Sequence, residues 1–131
     1  MNIPNYQLSM NRDKQVYICG PITGVPNLNA EAFRDVETKL RDLGYMPVVP
    51  HDLFEDVDDK SMEYDNYIEG CVSALALCPI IILLQGWENS RGCNIEVNIG
   101  RIMSKKIIPI WNLEKELGKQ NVIVNAEAKG Y

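Results

Sequence analysis

The chain has 131 residues, enough for one domain around one hydrophobic core and too few for two catalytic domains. Thirteen Lys and Arg against eighteen Asp and Glu give a net charge of −5 with no basic run to offset it, which argues against general binding to duplex nucleic acid or to an anionic membrane surface. At 46% hydrophobic and 24% charged residues, the composition is that of a folded globular protein, and disorder of the whole chain is excluded.

Residues 1–14 are polar and are expected to form an N-terminal extension to a domain spanning residues 15–131. This opening carries no secretory signature. The apolar run Pro79 to Leu84 is strand-sized, and no run approaches the roughly 18–20 residues of a membrane-spanning helix, so a cytoplasmic protein is expected. Cys19, Cys71, Cys78 and Cys93 show neither C-x-x-C pairing nor the density of a disulfide scaffold, and are expected to be reduced and buried.

Gln15 to Cys19 is a β-prone run stopped by Gly20-Pro21 and Gly24. From Asn29 the apolar period lengthens: Phe33, Val36, Leu40 and Leu43 share one helical stripe, with Asn29 as the expected N-cap and Gly44 as the stop. Tyr45 to Val49 reads as a second strand ended by Pro50, and Glu55 to Asp59 as an acidic loop without the glycine and terminal glutamate of a calcium loop. A helix from Tyr64 to Ala76 is expected, with Tyr67, Ile68, Val72 and Leu75 inward. The strand Ile80 to Leu84 follows, apolar on both faces as in a doubly covered parallel sheet.

After the polar stretch Gln85 to Gly92, a helix running to Ser104 is expected to bury Ile95, Ile99, Ile102 and Met103, with Lys105-Lys106 at its negative end. The strand Ile107 to Ile110 follows, then a short helix at Leu113 to Lys119 and an edge strand at Val122 to Val124. Strand and helix alternating three times imply parallel pairing and an α/β fold. Ligands in such sheets sit beyond the carboxyl ends of the strands, which directs attention to Gly20 to Asn27, Pro50 to Phe54 and Gln85 to Glu96.

Two of these loops can carry chemistry. Gly20-Pro21-Ile22-Thr23-Gly24 leaves the first strand with backbone N–H groups open to an anion or a sugar, though Gly-Pro pairs also serve simply as turns. In Ser90-Arg91-Gly92-Cys93-Asn94-Ile95-Glu96 the serine offers a hydroxyl, the glycine a close backbone approach, and Glu96 falls in the first turn of the next helix. There its charge favours the helix dipole by about 0.3–1 kcal/mol.

Taken together, Tyr17 to Gly24, Gly86-Trp87-Glu88-Asn89-Ser90 and the run to Glu96 resemble the nucleoside 2-deoxyribosyltransferase superfamily, over roughly Val16 to Ile110. The likeness is greatest to its small bacterial and phage branch, and extends to the deoxynucleoside 5′-monophosphate N-glycosidases. It implies a Rossmann-like (flavodoxin-like) three-layer sandwich with a mainly parallel five-stranded sheet. It further implies cleavage of an N-glycosidic bond, with Glu96 as nucleophile and Tyr17 holding its carboxylate. The binding residues it implies are Gly20, Pro21, Ile22, Thr23, Gly24, Trp87, Ser90 and Gly92.

Ser90, where free-nucleoside transferases of the superfamily carry Asp, favours a 5′-monophosphate, since Asp would repel a dianion. The resemblance also implies a homodimer or larger assembly and requires no metal or redox cofactor. Cys71 and Pro79 occupy positions that are acidic in the superfamily, the first being that of the group protonating the departing base; Asp65 and Glu69 are the candidate substitutes, and Glu69 lies on another helix face. A nucleotide-binding or sensing protein with little turnover is therefore the competing reading. Further candidates are Arg91 beside the loop and His51-Asp52 after the second strand. Cys19, Cys71, Cys93 and His51 are zinc-type ligands without recognised spacing, and no metal centre is expected.

Overall fold

The structure, a computed structural model, describes residues 12–54 and 64–118. Four parallel strands, β1 (Gln15–Cys19), β2 (Met46–Val48), β3 (Ile80–Leu83) and β4 (Lys106–Pro109), lie in the order β2-β1-β3-β4. The three helices that connect them are α1 (Ala30–Asp42), α2 (Tyr64–Ala76) and α3 (Arg91–Ile102). The architecture is α/β and Rossmann-like. The expected fifth strand, Val122 to Val124, lies outside the described residues, as do the acidic loop Glu55 to Asp59 and most of the N-terminal extension.

Alternation along the central strands divides the core in two. Val16, Ile18, Ile80 and Ile82 point to one face and pack against Phe33, Val36 and Leu40 of α1. Tyr17, Cys19, Ile81 and Leu83 point to the other, against Cys71 and Leu75 of α2 and Cys93 and Val97 of α3. Because β3 is covered on both faces, its four residues are all buried, which accounts for the uninterrupted apolar run. The chain passes from β1 outward to β2 and then back across β1 to β3, so the strand order reverses between β1 and β3. A cleft opens at such a reversal because the two adjoining loops are led to opposite sides of the sheet.

The stripe on α3 differs from expectation. Cys93, Glu96, Val97 and Gly100 are buried, whereas Ile102 is 81% exposed and Met103 is 43% exposed. The helix lies close to the sheet at Gly100, where an added Cβ would stand 2.5 Å from Ile81 Cδ1. Its inner face is therefore small and partly polar, which an apolar periodicity does not register. Lys105 also departs from its expected place. Its ammonium donates to the carbonyl of Ala76, at 2.8 Å, and so caps the end of α2 rather than of α3. The expected short helix after Leu113 is a single π-type turn, Glu114–Gly118, which buries Leu117.

Asn29 precedes α1 as expected but is left-handed (φ 58°), and its side chain donates to the Pro21 carbonyl at 2.9 Å instead of capping the helix. That bond ties the loop after β1 to the start of α1. The loop begins at Gly20 for a steric reason: a Cβ there would lie 2.8 Å from Leu84 Cβ, a backbone-proximal atom that cannot swing aside. We expect Gly20→Ala to destabilise the fold by about 1–3 kcal/mol through overpacking, measured by urea denaturation; an unchanged midpoint would contradict this close approach.

Candidate functional site

At the reversal between β1 and β3, the loops after the two strands and one end of α2 enclose a cleft of about 480 Å³, within the range that admits a small-molecule ligand. Tyr17, Gly20, Pro21, Ile22, Thr23, Ser90, Gly92 and Glu96 line it, joined by Cys71 and Arg91. Sequence candidates Gly24, Trp87, His51 and Asp52 are not among its lining residues. Gly24 supplies a turn (φ 82°). Trp87 is partly buried and packs against the core cluster that contains Tyr17 and Cys93. His51 Nε2 contacts the Leu28 carbonyl at 2.7 Å, and its ring meets Phe33 edge-on. Asp52 accepts two hydrogen bonds from the Arg34 guanidinium, at 2.7 and 3.0 Å.

Glu96 is the centre of the cleft's polar chemistry. It is 6% exposed, and its two carboxylate oxygens have different donors: Tyr17 Oη at 2.5 Å from Oε2 and Cys19 Sγ at 3.3 Å from Oε1. Tyr17 and Cys19 share one face of β1 because they are two residues apart, and that face is the one α3 covers. Glu96 is the sixth residue of α3, in its second turn rather than its first. The helix starts at Arg91 because Ser90 is its N-cap, accepting from the Cys93 N–H at 3.2 Å. Dipole stabilisation fades beyond the first turn, so the two direct donors, not the helix end, offset the burial of this carboxylate.

Burial pushes the Glu96 carboxyl above the usual carboxylate range, while the bonds from Tyr17 and Cys19 pull it back. Burial, and then the Glu96 charge, pushes the Tyr17 hydroxyl well up, so it remains a donor. The Cys19 thiol is pushed well up by its contact with Cys93 and by burial, whereas Cys93 is pulled down, chiefly by that same contact. Burial raises the Cys71 thiol to about 11, and Glu69, two residues earlier, is exposed.

α3 also presents its N-terminus to the cleft. Ser90 uses an oxygen lone pair on the cap and keeps its O–H to donate, beside backbone N–H groups that the helix leaves without intrahelical partners. Asn94 braces the preceding turn by donating to the carbonyls of Glu88 and Ser90 at 2.9 and 2.8 Å. The cleft thus holds both a carboxylate and anion-directed donors. Sequence reasoning named Cys19 and Cys93 only as zinc-type ligands without recognised spacing, and Tyr67 only as an inward residue of its helix, and did not bring them to this region. The signals were present: Cys19 alternates with Tyr17 on β1, Cys93 precedes Glu96 by three on α3, and Tyr67 precedes Cys71 by four on α2.

Residues 14–109 match the family model described as "Domain of unknown function (DUF4406)". Among curated proteins none matches the sequence significantly. A solved structure, "2-desoxiribosyltransferase from Leishmania mexicana", is similar with a TM-score of 0.57 and 18% identity, over 73% of this chain and 63% of that one. At this identity the likeness is one of fold, and it agrees with the superfamily that the loop motifs resemble.

A carboxyl raised by burial holds its proton to a higher pH in the native than in the unfolded chain. Its contribution to stability is greatest at low pH and falls as pH rises from its ordinary value of 4.5 through its native one. Glu96→Gln has no charge to bury, so it should gain stability relative to the unsubstituted protein as pH rises above the ordinary carboxylate value, in urea unfolding followed from acid to neutral pH. A difference that stays constant over that interval would contradict the raised value.

Proposed function

We propose that this chain, which belongs to the DUF4406 family, cleaves the N-glycosidic bond of a deoxynucleoside 5′-monophosphate or transfers its 2-deoxyribosyl group. The observation that carries this reading is the buried Glu96 carboxylate lining the cleft with a donor on each oxygen. In the first step Glu96 attacks C1′, the C1′–N bond breaks, and the electron pair departs with the base. A glycosyl ester of Glu96 results, which water or a second base then resolves. Tyr17 and Cys19 favour the ionised form against the effect of burial and fix the direction of the side chain. Their hydrogen bonds also weaken its nucleophilicity, so attack draws on the desolvation of the carboxylate that burial supplies.

The phosphate belongs at the N-terminus of α3, on the Ser90 hydroxyl and the neighbouring N–H groups. Arg91 also lines the cleft. Departure of the base requires a proton, and Cys71 stands where the resemblance to the deoxyribosyltransferase superfamily puts the acid that would deliver it. A thiol at about 11 is protonated at neutral pH but is a poor donor. That value favours the second reading, a nucleotide-binding or sensing protein with little turnover. Ile102, Met103 and Trp111 expose apolar surface that a second copy of the chain would cover, and sedimentation tests the proposed homo-oligomer.

Incubation with each deoxynucleoside and its 5′-monophosphate, followed by chromatography of the free base, tests the reading. We expect base release from a monophosphate, a loss of at least about 10³-fold in Glu96→Gln, and a selective rise of about tenfold or more in KM for the monophosphate in Ser90→Asp. Release that survives Glu96→Gln would overturn the mechanism, and calorimetric binding without release would establish the sensing reading.

A further inference from the structure

The same region holds a second kind of donor set. Cys19 Sγ, Cys93 Sγ and one Glu96 carboxylate oxygen lie within 4.8 Å of one another, and all three residues are buried. They come from two rigid elements, the end of β1 and successive turns of α3, so their spacing is set by the packing of that helix on the sheet. Two sulfurs bound to one zinc at about 2.3 Å in a tetrahedron stand about 3.8 Å apart, so side-chain rotation of 1 Å or so converts the present spacing into a coordination shell.

We propose that Cys19, Cys93 and Glu96 form a binding site for a thiophilic divalent cation of the zinc type, with its fourth position open to the cleft. Two sulfurs and one carboxylate oxygen favour zinc over magnesium or calcium, which take oxygen shells of six or more ligands. The Cys19 thiol now donates to Oε1; on binding, that proton and the Cys93 thiol proton are released, and both sulfurs and an oxygen of Glu96 bond to the ion. Tyr17 remains on Oε2 and orients the carboxylate from outside the shell, as the partners of metal-bound carboxylates commonly do. Cys93 and Glu96 both line the cleft, which gives the ion a path in and leaves its free position facing a ligand. Three protein ligands with one open position is the pattern of zinc sites that bind a water or substrate, not of closed structural ones. The site stands independently of the glycosidic reading, although an ion here would occupy the carboxylate on which that chemistry depends.

Cobalt(II) serves as the probe, added to chelator-stripped protein with a non-thiol reductant present to keep the cysteines reduced. We expect one ion per chain, with thiolate-to-cobalt charge-transfer absorption and the visible bands of a tetrahedral ion, all displaced by zinc. Cys19→Ser, Cys93→Ser and Glu96→Gln should each weaken binding, the cysteine variants by about 100-fold or more with loss of charge-transfer intensity. Cys78→Ser should bind as the unsubstituted protein does, since the Cys78 thiol donates to the Ala74 carbonyl. Circular dichroism confirms that each variant is folded, and if Cys19→Ser is not, Cys93→Ser and Glu96→Gln decide. Absence of charge-transfer absorption in the unsubstituted protein would overturn the site, as would its persistence in folded Cys93→Ser or its loss in folded Cys78→Ser.

Discussion

A carboxylate between a sheet and a helix imposes a constraint on everything around it. Water no longer stabilises its charge, and an unpaired buried ion costs several kcal/mol, so each oxygen must find a donor in the protein. For Glu96 those donors, Tyr17 and Cys19, both come from β1, a strand 77 and 79 positions earlier in the chain. The bond network therefore requires that α3 cross β1 at one register. Gly100 permits the approach on one side, and Ser90 fixes where the helix begins on the other. Packing and chemistry are thus one problem: the contacts that seat the helix are those that direct the carboxylate.

The cleft follows from topology. The reversal of strand order at β1 and β3 leaves the loops Gly20 to Val25 and Asn89 to Cys93 facing one another, and the chain uses backbone constraints to hold the first of them. Asn29 anchors it through the Pro21 carbonyl, at the expense of three consecutive left-handed residues, Asn27, Leu28 and Asn29. Asparagine tolerates that conformation; Leu28 does so at about 1–2 kcal/mol. Strain of this size persists where surrounding contacts over-determine the backbone, and here it sits in the segment leading away from one wall of the cleft.

Much of this was legible from sequence, and the exceptions have physical causes. The stripe of Phe33, Val36 and Leu40 placed α1, and the doubly apolar run at Ile80 to Leu83 placed a central strand, because in both cases burial is by large aliphatic or aromatic groups. The same reasoning placed the inner face of α3 only in part: Ile99 packs against the core, but the fully buried residues are Cys93, Glu96, Val97 and Gly100, and Ile102 and Met103 are exposed. Loop motifs pointed to Ser90, Gly92 and Glu96, which the cleft brings together with Tyr17. His51 and Asp52 were read from their position after β2, but contacts with Leu28, Phe33 and Arg34 engage them elsewhere. The convergence of Cys19 and Cys93 on Glu96 depends on a contact across most of the chain, which no local pattern encodes.

The account turns on whether this carboxyl is a buried acid held by donors from β1. Isotope-edited NMR of the Glu96 side-chain carbonyl, titrated with pH in the unsubstituted protein and in Tyr17→Phe, measures that directly. The expected result is a titration above the usual carboxylate range that moves higher still when the Tyr17 hydroxyl is removed. An ordinary carboxylate titration that Tyr17→Phe leaves unmoved would contradict it.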